Sequence, residues 1–205
     1  MSIRYILVFV LGVCSIGLFA QKAVYLDVYK PIEERVEDAL QRMTIEEKVA
    51  MLHAQSKFSS AGVPRLGIPD NWATDGPHGI RSEALWDEWD DAKWTNDSCI
   101  AFPALTCLAA TWNLRWLLCM VKALEKRLDI EIKIILLAPG VNMYRTPLNG
   151  RNFEYMGEDP FLASRMVVPY VQEVQKNGVA ACVKHFALNN QEVQRWDVDV
   201  VVDNR

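Results

Sequence analysis

Three short polar patches interrupt this chain, each placed where an apolar or extended stretch gives way to a loop. Asp75-Gly76-Pro77-His78-Gly79 offers a carboxylate. Gly150-Arg151-Asn152-Phe153-Glu154, with Gly157-Glu158-Asp159-Pro160 close behind, offers a guanidinium. Lys184-His185, within Val183-Lys184-His185-Phe186-Ala187-Leu188-Asn189-Asn190-Gln191-Glu192, offers an ammonium beside an imidazole. Such a set suits a compact ligand covered in hydroxyls. Each hydroxyl both donates and accepts, so a tight pocket for one must mix carboxylate acceptors with cationic donors. Asp75 can accept from two neighbouring hydroxyls, while Arg151, Lys184 and His185 donate to the others. Charge-assisted hydrogen bonds contribute roughly 1.5–3 kcal/mol each, against about 1 for neutral ones. A few of them select one stereoisomer, because a displaced hydroxyl leaves a buried charge unpaired.

Taken singly, each patch has a plainer reading. An Asp before Gly-Pro is commonly a turn residue that caps its own backbone, and an Arg beside Gly is commonly a solvated loop. Lys-His is commonly a surface pair at a strand end, yet here it interrupts an apolar run that a core strand would continue. Taken together and in order, the three patches favour a binding site.

The elements around them follow from periodicity. Residues 32–43 and 44–53 read as two helices, the second opened by a capping box of Thr44 and Glu47, with Val36, Leu40, Val49 and Leu52 forming buried stripes. Residues 61–69 are rich in turn formers and lead to a short strand entering Asp75. From Ala104 the apolar positions Leu105, Leu108, Trp112, Trp116, Met120 and Leu124 recur at three and four, as a helix broken at Asn113, which caps its second segment. Residues 132–137, apolar and rich in isoleucine apart from Lys133, end at Ala138-Pro139-Gly140 and read as a strand buried on both faces. Residues 160–176 are amphipathic, with Leu162, Met166, Tyr170, Val171 and Val174 on one side, and Asn177-Gly178 stops them. Residues 179–186 read as a second buried strand. Strands alternating with helices imply βαβ units and a parallel sheet. The fold class expected is α/β, the N-terminal portion of a (β/α)8 barrel, in which loops after the strands form the catalytic face.

Composition narrows the field. Of 205 residues, 51% are hydrophobic and 23% charged, so a packed core is expected rather than disorder. A formal charge of -4 without a basic block argues against nucleic acid or an anionic membrane as partner. Arg4, the apolar residues 5–19 and Leu18-Phe19-Ala20 before Gln21 make a secretory signal peptide over 1–20, too short for a membrane span. The chain is therefore expected to be exported to a periplasmic or extracellular space, with no stable membrane anchor. Cys99, Cys107, Cys119 and Cys182 remain beyond that segment without Cys-x-x-Cys spacing, and most lie where core is expected. His53, His78 and His185 lack metal-ligand spacing, so no metal is expected. No Gly-rich phosphate loop follows a strand and no Gly-x-Ser-x-Gly elbow occurs. Trp86, Trp89 and Trp94 fall in one loop, where they could wall a sugar, and Asn96-Asp97-Ser98 is a formal glycosylation acceptor.

From about Pro31 to Arg205 the chain resembles the glycoside hydrolase family 3 β-glucosidases, chiefly through Asp75-Gly76-Pro77, Gly150-Arg151-Asn152-Phe153-Glu154 and Lys184-His185-Phe186. The resemblance implies that residues 21–205 form the N-terminal part of that family's barrel domain, with Asp75, Arg151, Lys184 and His185 lining the subsite for the terminal sugar. It implies hydrolysis of terminal β-D-glucosyl residues with retention, through a glycosyl–aspartate intermediate and without a cofactor, on a β-linked glucoside or oligosaccharide. Ala187-Leu188-Asn189-Asn190 after Lys-His-Phe departs from the family's N-acetylglucosaminidases, and Asp75-Gly76-Pro77 is closer to its glucosidases than to its xylosidases. The family's nucleophilic Asp lies in a Ser-Asp-Trp-like motif beyond the equivalent of Arg205, and its acid/base lies later still. By that comparison the chain holds no catalytic carboxylate and would be inactive alone, or would act as a non-catalytic sugar-binding fragment.

Overall fold

The computed structural model describes residues 23–81, 100–131 and 135–203. The expected signal peptide, the tryptophan loop, the glycosylation acceptor and Cys99 lie outside the described residues. The described chain forms two compact units, one of residues 23–49 and 63–68, the other of the rest.

In the first unit, helix α1 (Ile32–Arg42) precedes α2 (Ile45–Met51), whose last turn belongs to the second unit. The capping box forms as the sequence predicts. The Thr44 amide donates to Glu47 Oε2 at 2.8 Å, and the Glu47 amide donates to Thr44 Oγ1 at 3.2 Å. Polar contacts hold this unit together. Arg65 spans to Glu47 at 2.8 Å and to the Arg42 carbonyl at 2.7 Å, and the Tyr25 hydroxyl donates to the Leu66 carbonyl at 2.7 Å. The buried stripes expected here are not buried: Val36, Leu40 and Val49 are exposed, as is Leu52 in the second unit. Helical spacing reveals an amphipathic face but not whether anything covers it, and among the described residues these positions stay open.

The second unit is built on a five-stranded sheet in sequential order. Strands β1 (Ala54–Ser56), β2 (Ser59–Ser60) and β3 (Asn71–Asp75) pair antiparallel. Then β4 (Ile135–Leu137) pairs parallel to β3, and β5 (Ala180–Ala181) parallel to β4. Their register places Asp75 opposite Leu137, and Leu136 opposite Ala181. The three parallel strands therefore end level, and the three polar patches follow those ends. This α/β arrangement is part of a (β/α)8-type barrel.

Helices α3 (Leu105–Ala110), α4 (Leu114–Glu131) and α5 (Pro160–Lys176) pack against the sheet. The break expected at Asn113 is present, its side chain accepting from the Arg115 amide at 3.0 Å. Leu117, Val121 and Leu124 of α4 meet Met166, Tyr170 and Val174 of α5 and Leu136 of β4 in one buried cluster. Trp112 and Trp116, expected on the core side, are exposed. Trp112 has φ 54° in the break itself, which turns its side chain off the helical stripe. Asp159 caps α5 by accepting from the Phe161 amide at 2.8 Å, Pro160 occupies the first turn, and Gly178 at φ 77° follows its end.

Two expectations fail locally. Residues 179–186 do not form a continuous buried strand: only Ala180–Ala181 is regular, Cys182 and Val183 are exposed, and the chain rejoins the sheet at a single Gly140–Lys184 bridge. With β4 on one side only among the described residues, β5 lacks the second neighbour that would extend it. Cys107, Cys119 and Cys182 are exposed rather than core. A small residue near the edge of an apolar stripe gives no sign of which side of the boundary it occupies.

Candidate functional site

Asp75 stands at the last position of β3, and the turn after it accepts only glycine. Gly76 has φ 126°, and a Cβ there would lie 1.4 Å from the Gly79 carbonyl oxygen. Fully buried Tyr170 of α5 supports this turn from below, its hydroxyl donating to the Pro77 carbonyl at 3.1 Å. Burial raises that phenol well above its ordinary range.

Beyond β4, Gly140 lets the backbone approach the 3-10 turn Asn152–Glu154. A Cβ on Gly140 would stand 2.3 Å from the Glu154 carbonyl. Tyr144 and Thr106 pin the same turn, the Tyr144 hydroxyl lying 2.5 Å from the Asn152 carbonyl and Thr106 Oγ1 3.0 Å from the Tyr155 carbonyl. After β5, the Lys184 amide donates to the Pro139 carbonyl at 3.0 Å and the His185 amide to Asn142 Oδ1 at 2.8 Å. The Lys184–His185 and Phe186–Ala187 peptides are cis. The hydrogen bonds of the Lys184 and His185 amides to Pro139 and Asn142 bring both side chains to one place.

All four residues singled out from sequence converge there. Lys184 Nζ lies 3.1 Å from Asp75 Oδ1 and 3.1 Å from Glu154 Oε2. Arg151 grips Glu154 with two parallel bonds, Nε to Oε1 at 2.9 Å and Nη2 to Oε2 at 3.0 Å, and approaches Glu192 at 3.8 Å. The result is a chain of charges, Asp75–Lys184–Glu154–Arg151. His185 sits beside it, Nδ1 2.7 Å from the Tyr155 hydroxyl and the ring edge-on to the phenol at 5.8 Å.

The electrostatics match the geometry. Burial pushes the Glu154 carboxyl up, but the Arg151 hydrogen bond and the Lys184 charge outweigh it and hold Glu154 below the usual carboxylate range. Burial, reinforced by the Arg151 and Lys184 charges, lowers His185 to about 4 against the partial opposition of Glu154 and Glu192. Burial likewise lowers His78, whose ring meets Phe153 edge-on at 5.2 Å. His185 is therefore neutral near pH 7 while Glu154 stays ionised.

Sequence reasoning missed the hub of this cluster. Glu154 was visible three residues after Arg151, the spacing of a side-chain pair in a helical turn, but nothing in the pattern announced that the turn would be buried. Tyr155, Asn189, Asn142 and His78 were missed as well. No group of three His, Cys, Asp or Glu side chains among the described residues could hold a metal ion.

Cationic donors and an acceptor gathered at the carboxyl ends of parallel strands define a barrel-type protein with a polar-ligand site. The family description "Glycosyl hydrolase family 3 N terminal domain" matches residues 36–194, and the chain belongs to that family. It is 62% identical over 185 residues to a beta-glucosidase of Bacteroides ovatus, covering 90% of this chain and 25% of that protein. It is 34% identical over 174 residues to an exo-alpha-(1->6)-L-arabinopyranosidase of Bifidobacterium longum, covering 85% of this chain and 23% of that protein. Among solved structures, beta-glucosidase 3B from Thermotoga neapolitana in complex with glucose superposes with a TM-score of 0.67 at 36% identity, over 77% of this chain and 24% of that one. The chain thus spans about a quarter of the length of these relatives.

Proposed function

We propose that this chain forms the sugar-binding part of a retaining β-glucosidase that hydrolyses terminal non-reducing β-D-glucosyl residues without a cofactor. The Asp75–Lys184–Glu154–Arg151 charge chain carries the reading. Asp75, more open than its partners, accepts from sugar hydroxyls, while Arg151, Lys184 and His185 donate. Burying Glu154 between two cations keeps those donors fixed before the ligand arrives, so less ordering is lost on binding.

Retaining hydrolysis needs a nucleophile and a proton donor about 5–5.5 Å apart. Asp75 and Glu154 both bind the same Nζ, at 3.1 Å each. Glu154, however, is held ionised by Arg151 and Lys184 and has no proton to give. Its role is to position, and the nucleophile and acid/base come from residues outside this cluster.

The test pairs a glucose titration with turnover of an aryl β-glucoside. Binding that weakens on Asp75→Ala, with negligible turnover by this chain alone, is expected. Binding indifferent to Asp75→Ala would remove the site, and turnover comparable to a full-length relative would place the catalytic carboxylates within this chain. The arabinopyranosidase similarity favours a second reading, a pentopyranoside as substrate, which an aryl α-L-arabinopyranoside tests directly. Export is proposed on the strength of Arg4, the apolar residues 5–19 and Ala20. A secreted product starting at Gln21 is expected, and one starting at Met1 would refute cleavage.

A further inference from the structure

We propose that Tyr155 and Asn189 are positioning residues that fix His185 as its Nε2–H tautomer, so that the imidazole meets a sugar as a hydrogen-bond donor. The proposal deepens the sugar-binding reading above and rests on it.

The argument follows protons along one line of contacts. Asn189 Nδ2 donates to the Tyr155 hydroxyl oxygen at 2.9 Å. An amide nitrogen has only hydrogens to offer, so the phenol accepts on that side. Its own single proton then points to His185 Nδ1, 2.7 Å away. A ring nitrogen that accepts carries no hydrogen, and in a neutral imidazole the proton must sit on Nε2. Burial and the Arg151 and Lys184 charges keep the ring neutral near pH 7, so the choice of tautomer decides what it can offer.

The line is anchored at both ends. The Asn189 carbonyl accepts from Asn149 Nδ2 at 3.0 Å, and the same Asn149 accepts from the Arg151 amide through Oδ1 at 3.3 Å. At the other end the His185 amide is tied to Asn142, and its ring lies perpendicular to the phenol. Rotation of the imidazole would therefore sacrifice the Tyr155 bond and its edge-on packing together. His185, Arg151 and Asn189 line one cavity of about 410 Å³, and among the described residues no hydrogen bond engages Nε2. An Nε2–H there adds a neutral donor to the two cations of that lining, Arg151 and Arg195, while Asp75 and Lys184 are not among its residues. The opposite tautomer would present an acceptor and demand a proton from the ligand.

Ring-¹⁵N-labelled histidine in this chain, read by NMR at pH 7, tests the idea. His185 is expected to show an unprotonated Nδ1 and a protonated Nε2. Tyr155→Phe removes the relay but keeps the packing, so the two tautomers should mix and glucose affinity should fall roughly five- to tenfold. Asn189→Asp is the sharper variant: a carboxylate can only accept, so the phenol turns to it and the imidazole must donate from Nδ1. A merely structural role for Asn189 would not invert the tautomer. An Nδ1-protonated ring in the parent chain, or a ring unmoved by Asn189→Asp, overturns the proposal. Should the ring follow both substitutions while the parent binds no glucose, the donor role falls with the sugar-binding reading, and control of the tautomer stands.

Discussion

Glu154 and Lys184 form an ion pair of 3.1 Å in which each side chain is only about a tenth exposed, and the same Nζ holds the more open Asp75 at an equal distance. One ammonium thus divides its charge between an inner carboxylate and an outer one. The inner partner is doubly clamped by Arg151 and has little freedom to turn toward a ligand. The outer one remains accessible. That asymmetry assigns Glu154 to holding the site together and Asp75 to meeting the sugar.

Glu154→Gln is expected to destabilise the fold by about 3 kcal/mol, since losing one member of a buried ion network leaves the opposing charges uncompensated. Two cations would then share the space with Asp75 and the more distant Glu192. Chemical denaturation of parent and variant measures the loss, and a difference under about 1 kcal/mol would show the charges to be better solvated than their burial implies.

Asp75→Asn should behave in the opposite way. Its carboxylate is 38% exposed, so stability should change little, whereas glucose affinity should drop roughly ten- to hundredfold with the loss of charge-assisted bonds. Calorimetric titration alongside the denaturation curve separates the two effects. Equal damage to stability and binding would mean that Asp75 is a structural partner of Lys184 and nothing more.

The imidazole of His185 sets a pH dependence whose sign is fixed. Its folded value of about 4 lies below the ordinary value near 6.5, so between those limits the unfolded chain binds more protons. The stability it contributes is fully present above pH 6.5 and is lost as pH falls toward 4. Allowing for partial exposure, about 1–2 kcal/mol should disappear across that window. His185→Gln should reduce the slope between pH 7 and 5, leaving the part contributed by His78, which burial also lowers. A variant with the same slope as the parent would assign the effect to another group.

How much of this was legible in the sequence depended on whether a signal was local. Helix α5 was readable because its apolar stripe and its terminal Asn177-Gly178 lie within or beside the segment they govern. The capping box at Thr44 and Glu47 and the break at Asn113 were readable for the same reason. Asp75, Arg151, Lys184 and His185 could be named because their order and neighbours resemble a family, but spacing could not bring them together. Convergence depends on register: three strands ending level, and Gly76 and Gly140 permitting close approaches that have no pattern of their own. The exposure of Val36, Leu40, Cys107 and Cys119 was illegible for a related reason, since burial is a property of what lies opposite.

Gly140→Ala tests that dependence on close approach. The added Cβ would meet the Glu154 carbonyl at 2.3 Å and the Tyr155 ring at 2.8 Å, and neither can retreat without moving the charge chain. A loss of 2 kcal/mol or more in stability is expected, within the range of overpacked sites, accompanied by weaker glucose binding. Near-parental stability and affinity would show that the turn carrying Glu154 yields more freely than its hydrogen bonds to Tyr144 and Thr106 suggest.

Asp159 provides the contrast that separates a site carboxylate from a folding one. It occurs in a motif as conspicuous as that of Asp75, yet its side chain accepts from the Phe161 amide and caps α5. Asp159→Ala should therefore cost about 1 kcal/mol of stability, the usual worth of an N-cap. Helix α5 carries Tyr170, which props the turn behind Asp75 through the Pro77 carbonyl, but Tyr170 lies about three turns from the cap, so slight fraying at the helix start stays remote from the site. Glucose affinity of the folded variant should match the parent. A clear fall in affinity at preserved fold would mean that Asp159 acts on the ligand, and that the carboxylates in this chain cannot be sorted by what their oxygens touch in the free protein.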